Sequence, residues 1–352
     1  RIVDEVQDVR QTARPLRWES RIPSVPAVDG EILGRYRGRI YAADIIAMDQ
    51  AAAVRAPQPI SLTRTEIPKL KHGEHLTEHY LDLLNRIRSG GAIQRDRNIF
   101  EDYIARRVVQ LVDGVRQRME VLRVAMLLDT FTYDRLGIKL SGLGWGMPSD
   151  LKVTASPVWS GSTGKPFTDI MGLVSLAAEK YGVILDRVTM STAALVNMSK
   201  TTEFQQMALP FLSALSLAQA NLPEGDRRTM LNLASQRTGL MFEVDDSQYW
   251  TEGVSGAETA TRYFPVEKVI LSSSQFDGDA DVWDWANGVV YETMPGTVPT
   301  AIGEFGGLRE GPVGYATAGD PQGNPPGVIL WGVGRGFPRK HMIAANAVIT
   351  AY

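Results

Sequence analysis

The sequence predicts an α+β fold in which one very long helix and a compact helix–strand lobe share the chain with long stretches of extended backbone. Three observations carry this expectation. Apolar residues recur at three- and four-residue steps from Phe100 to Met126. Helix and strand signals alternate from Pro166 to Ser272. The segments before residue 75 and after residue 276 read as an arm, a ribbon and short strands.

Residues 1–30 form the arm. Pro15, Pro23 and Pro26 break any helix there. Arg10, Arg14, Arg17 and Arg21 are largely cancelled by Asp4, Glu5, Asp8 and Glu19, so the arm reads as a solvated tail. Residues 31–74 read as an extended β-ribbon. Glu31 to Ala43 and Ile60 to Leu70 are strand-like, with Ile60 and Leu62 alternating against Ser61 and Thr63, and an Ala-rich tip lies between them. A two-stranded ribbon buries no core of its own. It must pack on the rest of the chain or on a neighbouring one.

The clearest helix spans residues 97–130. Phe100, Ile104, Val108, Leu111, Val115, Met119, Leu122 and Met126 share one face. Asp102, Arg106, Asp113, Arg116, Glu120 and Arg123 are expected on the solvent side. Its length would be roughly 50 Å at 1.5 Å per residue. A Gly-rich hairpin region follows, Leu136 to Thr154. Pro166 and Thr168 then open a helix with Ile170, Val174, Ala177 and Tyr181 on one face, and Gly182 closes it. Val183 to Met190 reads as a strand, and Ser191-Thr192 starts a short helix. Thr202 and Gln205 make a capping box for a helix that Pro210 kinks, and Asp226 caps one more that ends before Gly239. Strands are expected at Leu240 to Trp250, Val266 to Ser272, Gly327 to Val333 and Met342 to Tyr352.

Composition narrows the function. With 352 residues, two domains are expected. The absence of cysteine removes disulfides, thiolate nucleophiles, Cys-ligated zinc and iron–sulfur clusters. No apolar run reaches the roughly 18 residues of a membrane span, and Arg1 to Glu5 carry no signal-peptide stretch. The chain begins without Met, so residues before Arg1 are expected to have been removed or left out. A net charge of −3 gives no reason to expect a dedicated nucleic-acid reader.

Several motifs invite chemistry. His75-Leu76-Thr77-Glu78-His79 matches the inverted zinc-peptidase pattern, with His72 nearby. On a helix, His75 and His79 would face one zinc, with Glu78 as general base. The segment reads more simply as a solvated helix start. Gly164-Lys165 resembles the end of a phosphate loop, but Trp159 and Pro166 stand where a Gly and a hydroxyl are needed, so it reads as a turn. Asp277, Asp279 and Asp281 alternate as in a calcium loop, without its Gly or its bidentate Glu. Gly142, Gly144 and Gly146, and then Gly332, Gly334 and Gly336, read as tight turns and sites of close backbone approach. Trp283, Trp285 and Tyr291 suit core packing better than base stacking, since no basic groove accompanies them. The residues thus nominate no catalytic, cofactor-binding or metal site.

The order of parts is the most specific signal. Arm, ribbon, long helix, compact lobe and strand-rich return together resemble the major capsid proteins of tailed bacteriophages, in particular the lambda-type family. Phe100 to Met126 looks like the family's spine helix, and Asp169 to Met198 like the first helix–strand–helix of its axial lobe. Tyr249 to Gly253, and Arg262 to Leu271 with its proline turn, look like its strand, loop and buried strand. Gly319-Asp320-Pro321 and the strands at 327–333 and 342–352 fit its peripheral lobe. Val266-Glu267 departs from the usual acidic residue after the proline, and 209–237 is richer in helix than the family pattern.

The resemblance implies a Hong Kong 97-type capsid fold with N-arm, extended loop, peripheral domain carrying a long spine helix, and axial α+β domain. The parts would be 1–30 arm, 31–74 ribbon loop, 75–155 peripheral domain, 156–275 axial domain and 276–352 return. It further implies a non-enzymatic subunit without cofactors. Such subunits assemble as hexamers and pentamers into an icosahedral shell around double-stranded DNA. Scaffold, portal and decoration proteins are implied partners, membranes are not, and assembly would take place in the host cytoplasm before the protein resides in the virion. A zinc hydrolase built on His75, Glu78 and His79, and an encapsulin-like cargo shell, are the alternatives.

Overall fold

The computed structural model describes residues 16–27, 32–35, 61–64, 67–76, 82, 94–135, 138–208, 224–252, 258–290, 309–318 and 328–352. In chain order the elements begin with β1 (Ser24–Pro26), β2 (Ile32–Arg35), β3 (Ser61–Arg64), β4 (Lys69–Leu76) and the helix α1 (Gln94–Leu128). Next come β5 (Phe131–Arg135), β6 (Ile138–Leu143), β7 (Lys152–Thr154), α2 (Pro166–Leu176), β8 (Arg187–Met190), α3 (Thr192–Ser199), α4 (Thr202–Ala208) and α5 (Glu224–Thr238). The rest are β9 (Met241–Val244), β10 (Gln248–Glu252), β11 (Glu258–Arg262), β12 (Lys268–Ser272), β13 (Trp283–Asn287), β14 (Val289–Val290), β15 (Arg309–Glu310), β16 (Val313–Ala318), β17 (Val328–Lys340) and β18 (Asn346–Thr350). The chain divides into two units, Arg1–Ile32 with Arg64–Arg123 and Asp284–Pro338, and Leu33–Thr63 with Val124–Trp283 and Arg339–Tyr352.

The first unit is a sheet crossed by α1. Strand order is β1-β13-β17-β16, with β4 also paired to β17. β4 and β16 run antiparallel to β17, and β1 joins β13 in parallel. The helix buries its predicted stripe, with Ile104, Val108, Leu111, Val115, Met119 and Leu122 all in the core. The stripe meets glycines. A β-carbon on Gly332 would lie 2.5 Å from the Leu111 carbonyl oxygen, one on Gly334 2.7 Å from Met119 Cε, and one on Gly314 2.4 Å from Val108 Cγ1. Gly332 and Gly334 are two apart on one strand, so both face the helix. The expectation at 332–336 holds for close backbone approach and is corrected for tight turns. These residues sit inside the 13-residue β17, where the missing side chain lets helix backbone and strand touch at Gly332, admits Met119 at Gly334 and admits the Trp285 ring at Gly336. The expected strand Gly327 to Val333 stops short for the same reason.

The second unit holds a mixed sheet in the order β7-β18-β12-β8-β9. Its two outer pairings are parallel and its two inner ones antiparallel. Val188, Met190, Val269, Leu271, Ala347 and Ile349 share one buried face. Local signals set its helices. Pro166 takes the first position of α2, and Gly182 at φ +70° ends the turn that follows. The Ser191 hydroxyl accepts from Ala194 N at 3.0 Å and caps α3.

Other boundaries moved. The cap of α4 is Thr201, whose hydroxyl accepts from Phe204 N at 3.4 Å, one residue before the expected box. Asp226 lies inside α5, which already includes Glu224. The expected strand Leu240 to Trp250 is two strands, because Asp245 accepts from Ser247 N at 3.1 Å and turns the chain. Strand β8 starts at Arg187 rather than Val183, and β18 is confined to Asn346–Thr350. The Gly-rich hairpin starts earlier, with β5 at Phe131. Asp129, at φ +55°, redirects the chain after α1. Its carboxylate accepts from Trp145 N at 2.5 Å and Met147 N at 3.2 Å and pairs with Lys152 at 2.5 Å. Pro210, and the ribbon tip at 36–60, lie outside the described residues.

Candidate functional site

The zinc motif begins on a strand. Lys69 to Leu76 form β4, so His72 and His75, three apart, project to opposite faces. His72 lies on the helix side, where its Nδ1 is 3.6 Å from a β-carbon built on Gly114. This corrects the expected helix start, and the two described imidazoles cannot converge on one ion. Glu78 and His79 lie outside the described residues.

The other motifs are structural. Asp277 clamps Arg187, with Oδ1 to Nη1 at 2.9 Å and Oδ2 to Nη2 at 2.7 Å. Asp279 accepts from Asp281 N at 2.9 Å, a local turn bond. Gly164 lets the chain pass Trp159, since a β-carbon there would lie 2.8 Å from Trp159 Cα. Trp283 and Trp285 are buried, and Trp283 meets Phe276 edge-on at 6.0 Å, which bears out packing over base stacking. Tyr291 lies outside the described residues.

The arrangement that sequence reasoning missed is the seat of the arm. Residues 16–27 are not a solvated tail, because Trp18 is 2% exposed and Ile22 0%. Nor is the whole polar side of α1 wet, because Glu120 and Arg123 are both 2% exposed. Two carboxylates clasp arm and helix reciprocally. Glu120 Oε1 accepts from Trp18 N at 2.6 Å, and its Oε2 accepts from Glu19 N at 3.1 Å. The Glu19 carboxylate accepts from Arg116 Nη2 at 2.7 Å and from Leu16 N at 3.0 Å. Arg123 lies 3.5 Å from Glu120 and over the Trp285 ring at 4.7 Å. The next stretch of arm continues as β1, in parallel register with Trp285 to Asn287.

Burial dominates the electrostatics of this clasp. It pushes the Glu120 carboxyl up and the Arg123 guanidinium down, each against the pull of the other. Burial also works to raise the Glu19 carboxyl, but Arg116, the Leu16 N–H and Arg123 together outweigh it and hold the group below its ordinary value. The usable signal in the sequence was Trp18 and Ile22, four apart in an arm whose other apolar residues are small or aliphatic and scattered. Such an arrangement has no chemistry to perform on a substrate. It fastens a segment that enters the sheet as an added strand.

Comparisons with known proteins bear on the family and the fold. The family described as phage major capsid protein E matches residues 33–283. Comparison with curated proteins finds no match. Among solved structures, the chain is similar to a protein assigned as the capsid protein of a prophage from Escherichia coli CFT073. That likeness has a TM-score of 0.52 at 13% identity and covers 83% of this chain and 80% of the other. It is also similar to a phage-related protein from Bordetella bronchiseptica RB50, with a TM-score of 0.51 at 14% identity over 99% and 96% of the two chains. Such likenesses speak for the fold, which is the α+β Hong Kong 97-type shell fold.

Proposed function

Because the chain belongs to the phage major capsid protein E family, we propose that its subunits gather as hexamers and pentamers into an icosahedral shell around double-stranded DNA. It is a structural protein of the virion that assembles with copies of itself. The observation that carries the reading is the family match over 33–283, which takes in the whole of α1 and nearly all of the second unit.

The mechanism is assembly. Residues 1–30 act as an arm and 31–74 as an extended loop, of which the stretch before Lys69 is laid on a neighbouring subunit and the rest returns into β4. Residues 75–155 and 276–352 form the peripheral domain, and 156–275 form the axial domain. Each contact is modest, but symmetry repeats it over the shell. Stability of the subunit is then inseparable from assembly. A net charge of −3 suits a container that confines DNA in bulk and reads none of its bases. Assembly takes place in the host cytoplasm, aided by scaffold, portal and decoration proteins. No catalytic step, cofactor or membrane enters this account.

Two experiments test it. Particles from infected cells, treated with nuclease, are expected to retain double-stranded DNA. Shells filled with a protein cargo and no DNA would contradict the reading and favour a cargo compartment. Deleting Ala43 to Pro57 is expected to leave folded subunits that no longer close shells. Normal shells from that deletion would remove the loop from the mechanism.

A further inference from the structure

The second unit exposes apolar side chains at both ends of the parallel pair β8 and β9. At one end, Met241 opens β9 beside Arg187, the first residue of β8. Met241 is 51% exposed, and its N–H donates to Asp186 O at 2.7 Å, two residues along from Ile184, which is 62% exposed. Arg237, exposed in the last turn of α5, comes just before, and Gly239 at φ +74° turns the chain from helix to strand. At the other end, β9 stops at Val244 beside Met190, and the chain continues into the hairpin β10–β11. There Trp250 is 67% exposed. The root of the hairpin is fixed. Asp246 accepts from Thr192 N at 3.1 Å and pairs with Arg262, and the Tyr249 and Tyr263 rings meet at 4.9 Å. Beyond the root, Glu258, Thr259, Ala260 and Thr261 are all exposed. The register sets small Ala260 opposite Trp250, with Glu258 two places along on the same face. From Gln248 to Thr261 the only charged residues are Glu252 and Glu258. A two-stranded hairpin is marginal in water, and one that holds a tryptophan out to solvent gains by being covered.

We propose that Trp250 and Glu258 of this hairpin dock on Ile184, Met241 and Arg237 of a second copy of this chain. The inference rests on the shell reading above. Complementary chemistry selects the occupant. One surface is an aromatic ring with a carboxylate, and the other is two aliphatic side chains with a guanidinium. Within one chain the two surfaces do not cover each other, since all three apolar side chains are more than half exposed. Because the surfaces differ, the contact is head to tail, and repeating it gives a ring when the rotation closes. Trp250 is the anchor, since tryptophan is enriched among the few residues that dominate interface energy. The charged pair sets which face of the hairpin is presented.

The test uses the whole protein, whose lack of cysteine makes an introduced thiol unique. One preparation carries Ala260→Cys, and another carries Gln236→Cys at the exposed neighbour of Arg237. The two are mixed, assembled and treated with a short bismaleimide. Mass spectrometry is expected to find the two sites joined, which only contact between copies can do. Trp250→Ala is expected to keep the subunit's Tm while lowering shell yield about tenfold or more, as loss of an anchor residue does. Glu258→Lys is expected to lower the yield too, and adding Arg237→Glu to restore it. No link between the two sites would overturn the inference, as would full shell yield from the folded Trp250→Ala protein. Should that variant fail to fold, the link and the charge exchange decide. Variant shells of full yield that lose only a second bound protein would also overturn it and assign the hairpin to that protein. If the natural protein forms no shells, the shell reading itself fails, a distinct result, and the link between copies still decides this contact.

Discussion

At Gly332 the missing side chain is the contact. Its built β-carbon would meet the Leu111 carbonyl, part of a helix backbone that cannot rotate aside. Gly332→Ala is therefore expected to destabilise the subunit by about 1–3 kcal/mol, the usual cost of overpacking a close-packed site, read as a lowered denaturation midpoint. Asp129 gives a second residue-level prediction. Its left-handed backbone suits Asp and Asn, and its carboxylate accepts from Trp145 N and Met147 N. Asp129→Ala leaves those buried donors without their acceptor and is expected to cost about 1–3 kcal/mol. Asp129→Asn is expected to recover most of that in urea titrations. Equal losses in both variants would remove the carboxyl oxygens from the account. The close approach at Gly332, Gly334 and Gly336 was legible in the sequence, but their place inside a strand was not. Glycines in a row look like turns until the neighbours that need them, the helix at Gly332 and Gly334 and the Trp285 ring at Gly336, are in place.

Among elements, α1 was the most legible and its polar side the least. The apolar stripe of period 3.6 announced a long helix, and the core side holds as expected. The burial of Glu120 and Arg123 depends on the arm, about a hundred residues away in sequence, and no local pattern encodes that. Glu120→Ala is expected to undock the arm, since it leaves Arg123 buried and two backbone donors bare. Removing one partner of a buried pair costs about 3–5 kcal/mol. The arm should also respond to pH. Glu19 is held below its ordinary value, so its contribution is present above about pH 4.5 and is lost as pH falls through its lowered pKa. Glu120 is raised, so its contribution is fullest at low pH and is lost as pH rises through its raised pKa. Hydrogen exchange at residues 16–22, corrected for intrinsic rates, is expected to lose protection on the acid side. Glu19→Gln should flatten that loss, and an unchanged acid limb would sink the assignment.

For the whole molecule, the order of parts said more than any motif. The H-x-x-E-H pattern was legible as letters, but its chemistry presumed a helix. Pairing with β17 makes its first half a strand and turns His72 and His75 apart. Long-range pairing of this kind is what a local reading cannot supply. The sequence of arm, ribbon, spine helix, lobe and return is a property of the entire chain, and it leads to the family that matches residues 33–283. The central claim is self-assembly into a closed shell. Electron microscopy of the purified, untagged protein, alone and with the proposed scaffold, tests it most directly. Closed shells or ring-shaped capsomers are predicted. A monodisperse small particle under both conditions, carrying zinc in stoichiometric amount, would contradict it.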